Sequence, residues 1–533
     1  MSTLVSLNAD APAFENSFVE HLPGDESSEP GVRQVKNAAY SQARPTPVAA
    51  PRLLAYSPEV AELLGFPIDT MAEELHTPGP WTALLSGNEV APTSKSYAQA
   101  YGGHQFGSWA GQLGDGRVIV LGERLSAAGA RYEVQLKGAG PTPYSRFADG
   151  RAVLRSSIRE YLCAEAMHFL GVPTSRSLSL VATGDAVLRD MFYDGHEEEE
   201  PGAIVCRVAP SFIRFGSFQF HAWRKQHDHL QSLADYTLQT HFPELGAPSR
   251  DSYLEFFREV CRRTARMITE WMRVGFVHGV MNTDNMSVHG LTIDYGPYGW
   301  LDNFDPSWTP NTTDSATHRY AYGRQPRIGE WNLAMFASSL LPLIGEAAPL
   351  EEALGEYTKT LNETQTAMLR DKLGLQTLEG PDDEKLVEDL FALLPRVETD
   401  MTLFFRSLAH APESNDPMET VEGAFYRDKL PTEIDTAWRA WFDRYCARIA
   451  RDSRSVDERR CAMNRVNPWF VLRNYLAQIA IDAATEGDLA PLRKLEAALR
   501  RPYDEQPDHA EFAAKRPEWA RHKPGCSALS CSS

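Results

Sequence analysis

Alternating apolar and polar positions dominate the first half of the chain. Residues 117–122 are predicted to form a strand, and in residues 132–137 every second side chain is apolar, as in a strand with one face in a core. The same alternation puts Lys137 opposite the core face. Two further strands are predicted at residues 178–182 and 203–208.

One helix is predicted among these strands, from about residue 152 to residue 170. Gly171 and Pro173 mark its end, because glycine is favoured just past a helix and proline cannot continue one. The acidic run at residues 197–200 is interpreted as the solvated tip of a hairpin.

From about residue 250 the pattern changes to the three- and four-residue spacing of helices. Ser252 and Glu255 form a capping-box signature for a long helix. One face of that helix is predicted to be buried through Tyr253, Phe257, Val260, Thr264, Met267 and Trp271.

Further elements are predicted in the second half of the chain. The near-apolar stretch 333–344 indicates a buried helix, and a short hairpin is predicted from residues 286–288 and 291–293 with a turn between them. Later helices are expected around residues 386–394 and 472–479.

This order of elements predicts an α+β fold with a strand-rich lobe followed by an extended helical lobe. Residues 1–90 are rich in Pro, Gly and Ser, and are expected to form an N-terminal extension packed on the body. The strand-rich lobe is assigned to residues 91–215 and the helical lobe, with its cysteine-containing tail, to residues 216–533.

Composition narrows the classes of function. With 43% hydrophobic and 23% charged residues the chain is a folded protein rather than a disordered or fibrous one. Its formal net charge of −19 repels polyanions, so nucleic acid is not expected as a partner. The stretch 333–344 is shorter than the roughly 20 residues a membrane span needs, and the N-terminus lacks targeting features, so a cytoplasmic protein without membrane contact is expected.

The seven cysteines do not suggest a disulfide framework or a zinc site, because their spacing is irregular. Five are expected to be small buried hydrophobic residues. Cys526 and Cys531 lie in a Ser-rich tail, where a solvent-accessible thiol is expected.

A glycine-rich segment, residues 111–117, opens directly into a predicted strand and could let backbone N–H groups approach a phosphate. Lys137 ends the next strand and Glu160 lies on the helix that follows. An ion pair between them could hold the ammonium against nucleotide phosphates. Taken singly, the glycines also suit a tight hairpin entrance, and either charged residue suits a protein surface.

A second constellation begins at His278 and includes Asp284, Asn285 and Asp294. These side chains could converge on one divalent cation, and their oxygen ligands suit Mg²⁺ or Mn²⁺. Turn formation is an alternative explanation for the neighbouring residues 282–283.

The order of these residues matches part of the protein-kinase pattern. Kinases have an Asp two residues after the His, an Asn seven residues after it, and then Asp-Phe-Gly. Here the seventh position is Asn285 and the triplet is Asp294-Tyr-Gly, but the second position is Val280. The usual catalytic base is therefore missing, and Asp284 is the nearest carboxylate able to replace it.

Several longer sequence motifs are more specific than these short patterns. They are Tyr101-Gly-Gly-His-Gln-Phe-Gly107, Leu136-Lys-Gly-Ala-Gly-Pro-Thr-Pro-Tyr-Ser-Arg146, His278 to Asn285, Asp294-Tyr-Gly-Pro297, Gln325-Pro-Arg-Ile-Gly-Glu-Trp331, Asn467-Pro468 and Leu472-Arg-Asn-Tyr475. With these strings the chain resembles the selenoprotein O family over most of its length. The resemblance implies a two-lobed, protein-kinase-like fold that transfers AMP from ATP, or UMP from UTP, to Ser, Thr or Tyr hydroxyls of proteins. It also implies a nucleotide bound in reverse relative to kinases, with the α-phosphorus facing the acceptor.

The resemblance implies a role for individual residues. Nucleotide contacts fall to Gly114, Gly116, Arg117, Lys137, Asp149, Gly150, Arg207, Arg214 and Asp294. Asp284 becomes the general base, Asn285 and Asp294 the metal ligands, and Lys137 with Glu160 the ion pair. Guanidinium groups suit triphosphate oxygens, although Arg207 or Arg214 alone could be an ordinary ion-pairing residue. Asp149 and Gly150 could alternatively form the start of the next helix.

Two features depart from the family pattern. Four residues separate Cys526 from Cys531, so a tight redox pair is not expected, and Pro310 stands where many relatives have a cysteine.

Two rival functions also remain open, an ordinary kinase-type phosphotransferase and an inactive nucleotide-binding scaffold; Val280 counts against the first.

Overall fold

A computed structural model describes residues 12–27, 29, 31–191, 195–526 and 528–530. The strands of the described chain are β1 (Tyr40–Gln42), β2 (Arg52–Tyr56), β3 (Tyr97–Gln99), β4 (Gly102–Gln105), β5 (Ser108–Gln112), β6 (Val118–Leu125), β7 (Arg131–Lys137), β8 (Ala152–Val153), β9 (Arg176–Asp190), β10 (Glu197–Ala209), β11 (Phe276–Val277) and β12 (Gly299–Trp300).

Helices make up most of the second half. The first nine are α1 (Ser17–His21), α2 (Pro58–Leu63), α3 (Ile68–Glu74), α4 (Pro80–Ser86), α5 (Leu154–Phe169), α6 (Phe215–Trp223), α7 (His227–His241), α8 (Arg250–Val274) and α9 (Gln325–Ile344). The later ones are α10 (Ala348–Lys372), α11 (Gly380–Leu393), α12 (Met401–Leu408), α13 (Pro417–Val421), α14 (Thr432–Ile449), α15 (Val456–Asn464), α16 (Asn474–Thr485) and α17 (Ala490–Leu499).

The strand-rich lobe is built on one antiparallel sheet in the order β1-β3-β6-β7-β10-β9-β2, with β8 paired to β10. Both faces of its centre are buried. Val134 and Leu136 of β7 enter an apolar cluster with α2 and α4, whereas Glu133, Gln135 and Lys137 of the same strand are buried on the opposite face. The alternation predicted for β7 is therefore confirmed, but its polar face is turned toward a charged interior rather than toward water.

The first 90 residues contribute the two outer strands, β1 and β2, to this sheet. The segment is thus built into the strand-rich lobe as well as packed against it. The sheet continues across residue 90 without a break between domains. The domain limits given above stay a prediction.

The α+β architecture, with a strand-rich lobe followed by a helical lobe, is the predicted one. The long apolar-faced helix is α8, which ends at Gly275 in the left-handed conformation (φ 77°). Its cap differs from the prediction: Ser249 precedes the helix and accepts a hydrogen bond from the Ser252 N–H group, so Ser252 is the third helical residue rather than the cap. None of the described helices is both long and apolar enough to cross a membrane.

Three other local predictions need correction. The helix predicted from residue 152 begins at Leu154, because Ala152–Val153 forms β8. The acidic run 197–200 lies in β10 rather than at a hairpin tip; its first three residues are exposed, as expected, whereas Glu200 forms a bidentate ion pair with Arg155 (2.6 and 2.9 Å). The hairpin predicted at 286–293 is reduced to one bridge between Met286 and Thr292.

The cysteines also differ from expectation. Cys526 is buried, only 4% exposed, and its carbonyl oxygen accepts a hydrogen bond from the Asn474 side chain. Burial raises the pKa of its thiol to about 11. Of the five cysteines expected to be buried, Cys446 is half-buried and Cys461 is exposed. Cys531 lies outside the described residues.

Candidate active site

The lysine at the end of β7 meets a glutamate of α5 between the sheet and that helix. Lys137 Nζ lies 2.5 Å from Glu160 Oε2, and both side chains are buried. Burial lowers the pKa of Lys137, and the adjacent Glu160 carboxylate opposes that decrease. The ion pair expected from the sequence is therefore present, in the strand-to-helix arrangement that protein kinases use to hold nucleotide phosphates.

Two arginines and an aspartate continue this network. Arg207, on β10, donates to Asp294 Oδ1 at 2.6 Å, and Arg214, just before α6, donates to Asp294 Oδ2. Asp294 has a left-handed backbone conformation (φ 57°), which is uncommon outside glycine but tolerated by aspartate. Burial alone would raise the pKa of Asp294, but the positive charges of Arg214, Arg207 and Lys137 outweigh it and hold the pKa well below its ordinary value.

Arg207 links the Lys137–Glu160 ion pair to Asp294. Its Nη1 atom also lies 3.3 Å from Glu160 Oε1, and its Nη2 atom donates to Gln135 Oε1 at 2.6 Å. The register of the sheet explains this contact, because Arg207 and Gln135 are paired across β10 and β7. The network thus links the guanidinium groups of Arg207 and Arg214 and the ammonium of Lys137 through the carboxylates of Glu160 and Asp294.

The loop between β11 and Asp294 contains the remaining candidates. His278 is buried, and its Nε2 atom lies 3.0 Å from the Ile293 carbonyl oxygen, which ties the start of the loop to the residue before Asp294. Asn285 donates from Nδ2 to the Val280 carbonyl oxygen at 2.9 Å. This bond sets the orientation of the Asn285 amide and leaves its Oδ1 atom without a hydrogen bond from the described residues.

Asp284 lies beside this network. Its carbonyl oxygen accepts from Arg214 Nη1 at 2.6 Å, and its Oδ2 atom accepts from Gln105 Nε2 at 3.1 Å. Its Oδ1 atom is buried and has no hydrogen-bond partner in the described structure. Burial raises the pKa of Asp284 to about 6, although the Gln105 hydrogen bond and the Arg214 charge oppose the rise.

The segment around β4 positions this loop, a role that sequence reasoning did not assign. The His104 N–H group donates to Thr283 Oγ1 at 2.7 Å, and a Cβ atom on Gly103 would lie 2.5 Å from Asp284 Oδ1. Gly103 is therefore required for β4 to approach the carboxylate so closely. The string 101–107 carried the family resemblance, and it was the available signal for this contact.

Two buried carboxyl groups behind the network were also missed. Asp115 Oδ1 lies 4.0 Å from Arg214, and burial raises the pKa of Asp115. Glu133 accepts hydrogen bonds from two glutamine side chains, and burial raises its pKa to about 8. Nothing in the local sequence indicates that these carboxyls are buried. Asp115 lies in the loop before β6, and Glu133 is contacted by Gln99 and Phe212, which are distant in sequence.

The predicted glycine turn lies just before β6, whose first residue, Val118, pairs with Lys137. Tyr144 covers this turn. A Cβ atom on Gly114 would lie 2.4 Å from the Tyr144 ring, and one on Gly116 would lie 2.9 Å from the Tyr144 carbonyl oxygen. Arg117 is half-buried, and its charge acts on both Lys137 and Asp149.

Asp149 and Gly150 lie in the loop between β7 and β8. Asp149 forms a bidentate ion pair with Arg189, at 2.7 and 2.8 Å, so its carboxylate is already engaged. They do not form the start of the next helix, because the N-cap position of α5 is occupied by Val153. Gly150 has a φ of 73°, and a Cβ atom there would lie 2.2 Å from the Gly140 backbone, so only glycine fits.

Asn285 and Asp294 offer the oxygen ligands that Mg²⁺ and Mn²⁺ prefer. Each Asp294 oxygen already accepts from one arginine, but a carboxylate oxygen has two lone pairs, so one on each remains. Among the described residues no group of three or more His, Cys, Asp or Glu side chains could hold a metal ion. If these two side chains held a cation, water and phosphate oxygens would have to supply its other ligands, as is usual for Mg²⁺.

A comparison with solved structures finds a chain similar to ROP2 from Toxoplasma gondii, described as a virulence factor with a protein-kinase fold and no enzymatic activity. It is 13% identical and covers 56% of this chain and 87% of that one, with a TM-score of 0.23. A likeness this weak carries no argument.

The sequence comparisons are far stronger. The chain is 54% identical over 548 residues to the protein nucleotidyltransferase YdiU of Nitrosospira multiformis, covering 98% of this chain and 96% of that protein. It is 55% identical over 524 residues to the protein of the same name from Aromatoleum aromaticum, covering 98% and 99%. The family described as protein adenylyltransferase SelO matches residues 26–500. The chain therefore belongs to the SelO family of protein adenylyltransferases.

Proposed function

We propose that this nucleotidyltransferase moves AMP from ATP to the hydroxyl group of a Ser, Thr or Tyr side chain in a protein substrate, with release of pyrophosphate. The observation that carries the proposal is the position of Asp284, a buried carboxylate with one free oxygen beside the arginines that hold Asp294. Those arginines and Lys137 supply the charge to hold a triphosphate.

Asp284 is the proposed general base. The acceptor hydroxyl loses its proton to this carboxylate as its oxygen attacks the α-phosphorus of ATP. The bond from the α-phosphorus to the bridging oxygen then breaks, and the electron pair leaves with pyrophosphate. A pKa of about 6 leaves Asp284 deprotonated at neutral pH yet basic enough to take a proton.

Lys137, Arg207 and Arg214 are proposed to bind the phosphates, with Glu160 holding Lys137 in place. The glycine turn with Gly114, Gly116 and Arg117, and the loop with Asp149 and Gly150, are proposed as further nucleotide contacts. Mg²⁺ or Mn²⁺ bound by Asn285 and Asp294 would supply charge neutralisation for the leaving pyrophosphate.

The position of the radioactive phosphate distinguishes this function from ordinary phosphotransfer. We expect protein substrates to retain label from α-labelled ATP and to retain none from γ-labelled ATP. Label retained only from the γ position would overturn the proposal, and no label from either would favour an inactive scaffold. A parallel reaction with α-labelled UTP measures whether UMP is transferred as well.

The rate should depend on pH through Asp284. Because the base must be deprotonated, kcat at saturating ATP should rise with pH, level off above about 6 and fall about tenfold per unit below it. Gln105→Leu removes a hydrogen bond that lowers the pKa of Asp284, so this variant should move the acid limb to higher pH. A rate independent of pH across this range would contradict the assignment of the base.

Gly103→Ala should lower kcat about tenfold or more and destabilise the fold by about 1–3 kcal/mol, because the added methyl group overpacks a buried site. The new Cβ atom would lie 2.5 Å from Asp284 Oδ1 and would displace the carboxylate from its position beside Arg214. The matched control is Gly355→Ala on α10, where nothing lies within 4 Å of the new methyl group. Unchanged kcat in Gly103→Ala would show that the position of Asp284 does not limit the reaction.

A further inference from the structure

A large cavity opens next to the candidate active site, outside the residues assigned to nucleotide or cation. Its volume is about 810 Å³, and it lies between the turn after β4 and the segment that leads into α9. Its lining includes Phe106, Thr317, Arg319, Arg324, Arg327 and Trp331. Three arginines and two aromatic rings thus surround one cavity.

The wall of this cavity is connected directly to the proposed base. The Phe106 N–H group donates to Asn282 Oδ1 (3.2 Å) and to the Tyr320 hydroxyl (3.0 Å). The preceding residue, Gln105, donates to Asp284. The cavity wall and the hydrogen-bond partner of Asp284 are thus consecutive residues, Phe106 and Gln105.

None of the three arginines forms an ion pair with a carboxylate among the described residues. Arg324 donates to the carbonyl oxygens of Thr317 and His318, which leaves its charge uncompensated. Arg327 is exposed on α9 and has no hydrogen-bond partner in the described part of the chain.

Arg319 is held differently. Its guanidinium lies 4.6 Å from the centre of the Trp331 ring, and its Nε and Nη2 atoms are buried without a hydrogen-bond partner. The nearby Asp314 accepts from two backbone N–H groups and from Thr317 Oγ1, so its oxygens are directed into its own loop. The whole protein has a net charge of −19. A cavity lined by three arginines without an ion-paired carboxylate in the described structure is therefore a positively charged region of a negatively charged protein.

We propose that this cavity binds an acidic side chain, Asp or Glu, that flanks the acceptor hydroxyl in the protein substrate. The inference rests on the proposed function and names its substrate class. Guanidinium groups bind carboxylates through paired N–H donors, and the aromatic rings can contact apolar groups of the same peptide. Uncompensated positive charge at the entrance also favours acidic partners over basic ones.

Peptide binding to the full chain tests this inference without relying on catalysis. Fluorescent peptides that carry one tyrosine flanked by glutamates, by glutamines or by lysines are titrated and followed by anisotropy. We expect the glutamate peptide to bind at least about tenfold more tightly than the lysine peptide. Arg327→Glu should remove or reverse that preference, and Arg327→Gln should weaken it.

The matched control is Arg493→Glu on α17, which makes the same change in net charge at an exposed position outside the cavity. It should leave the preference unchanged. Equal affinities for the three peptides, no binding of any of them, or a preference that survives Arg327→Glu would each overturn the inference.

Transfer of AMP to the same peptides separates this inference from the proposed function. Suppose that the glutamate peptide binds best in an Arg327-dependent way but no α-label is transferred. That result would contradict the proposed hydroxyl chemistry and would still support the docking cavity. Transfer of α-label to all three peptides without any charge preference would support the proposed hydroxyl chemistry and overturn the docking cavity.

Discussion

Asp294→Ala is expected to abolish AMP transfer and to destabilise the fold by about 3 kcal/mol. The side chain is the shared partner of two arginines that are almost fully buried, and its removal leaves their charges facing each other. Arg207 keeps Glu160 as a partner, and Asp294 is 20% exposed, so we expect the lower end of the range for a broken buried ion pair. Denaturant unfolding and α-label transfer measure the two effects.

The control for stability is Asp389→Ala. Asp389 pairs with Lys385 and Arg444 on the exposed surface, and such pairs contribute less than about 1 kcal/mol. This variant should retain full activity. If Asp294→Ala unfolds at the same denaturant concentration as the wild type, Asp294 is not the main counter-ion of Arg207 and Arg214.

Asp400→Ala should produce the largest loss of stability outside the active site, about 3–5 kcal/mol. Its carboxylate forms two hydrogen bonds to the buried guanidinium of Arg473, at 2.8 and 2.9 Å. It also caps α12 by accepting from the Leu403 N–H group and accepts from the Tyr426 hydroxyl. Removing it leaves a buried positive charge whose remaining carboxylate partner among the described residues is Asp302.

A double replacement separates the charge from the packing. Asp400→Leu together with Arg473→Met should recover part of the lost stability, because the buried charge is removed along with its partner. The surface control is Asp435→Ala, which breaks an exposed pair with Arg439 and should cost less than about 1 kcal/mol. An Asp400→Ala midpoint close to that of this control would show that the Arg473 pair contributes little.

The pairing of Lys137 with Glu160 could be predicted because each step of it is local. Alternation within one strand sets the face of Lys137, and the next helix in the chain supplies Glu160. The spacing of a known pattern also singled out Asn285 and Asp294, and their role as metal ligands stays a prediction. The sequence comparisons agree with the family that the long motifs indicated.

The burial of Cys526 could not be predicted, because the tail looks polar by composition. The Leu529 N–H group donates to the Pro310 carbonyl oxygen, and Asn474 holds the Cys526 carbonyl oxygen. These partners lie about 50 or more residues away in sequence. No local pattern reports a contact over that separation.

The sequence by itself determined the α+β order of elements, the strand and helix that carry the ion pair, and the family. Only the tertiary structure decided that Asp294 lies between two buried arginines, that Gly103 lies against Asp284, and that residues 40–56 supply both outer strands. The division has a physical reason. Periodicity reports which face of an element is buried, whereas the partner on that face is chosen by packing between distant segments.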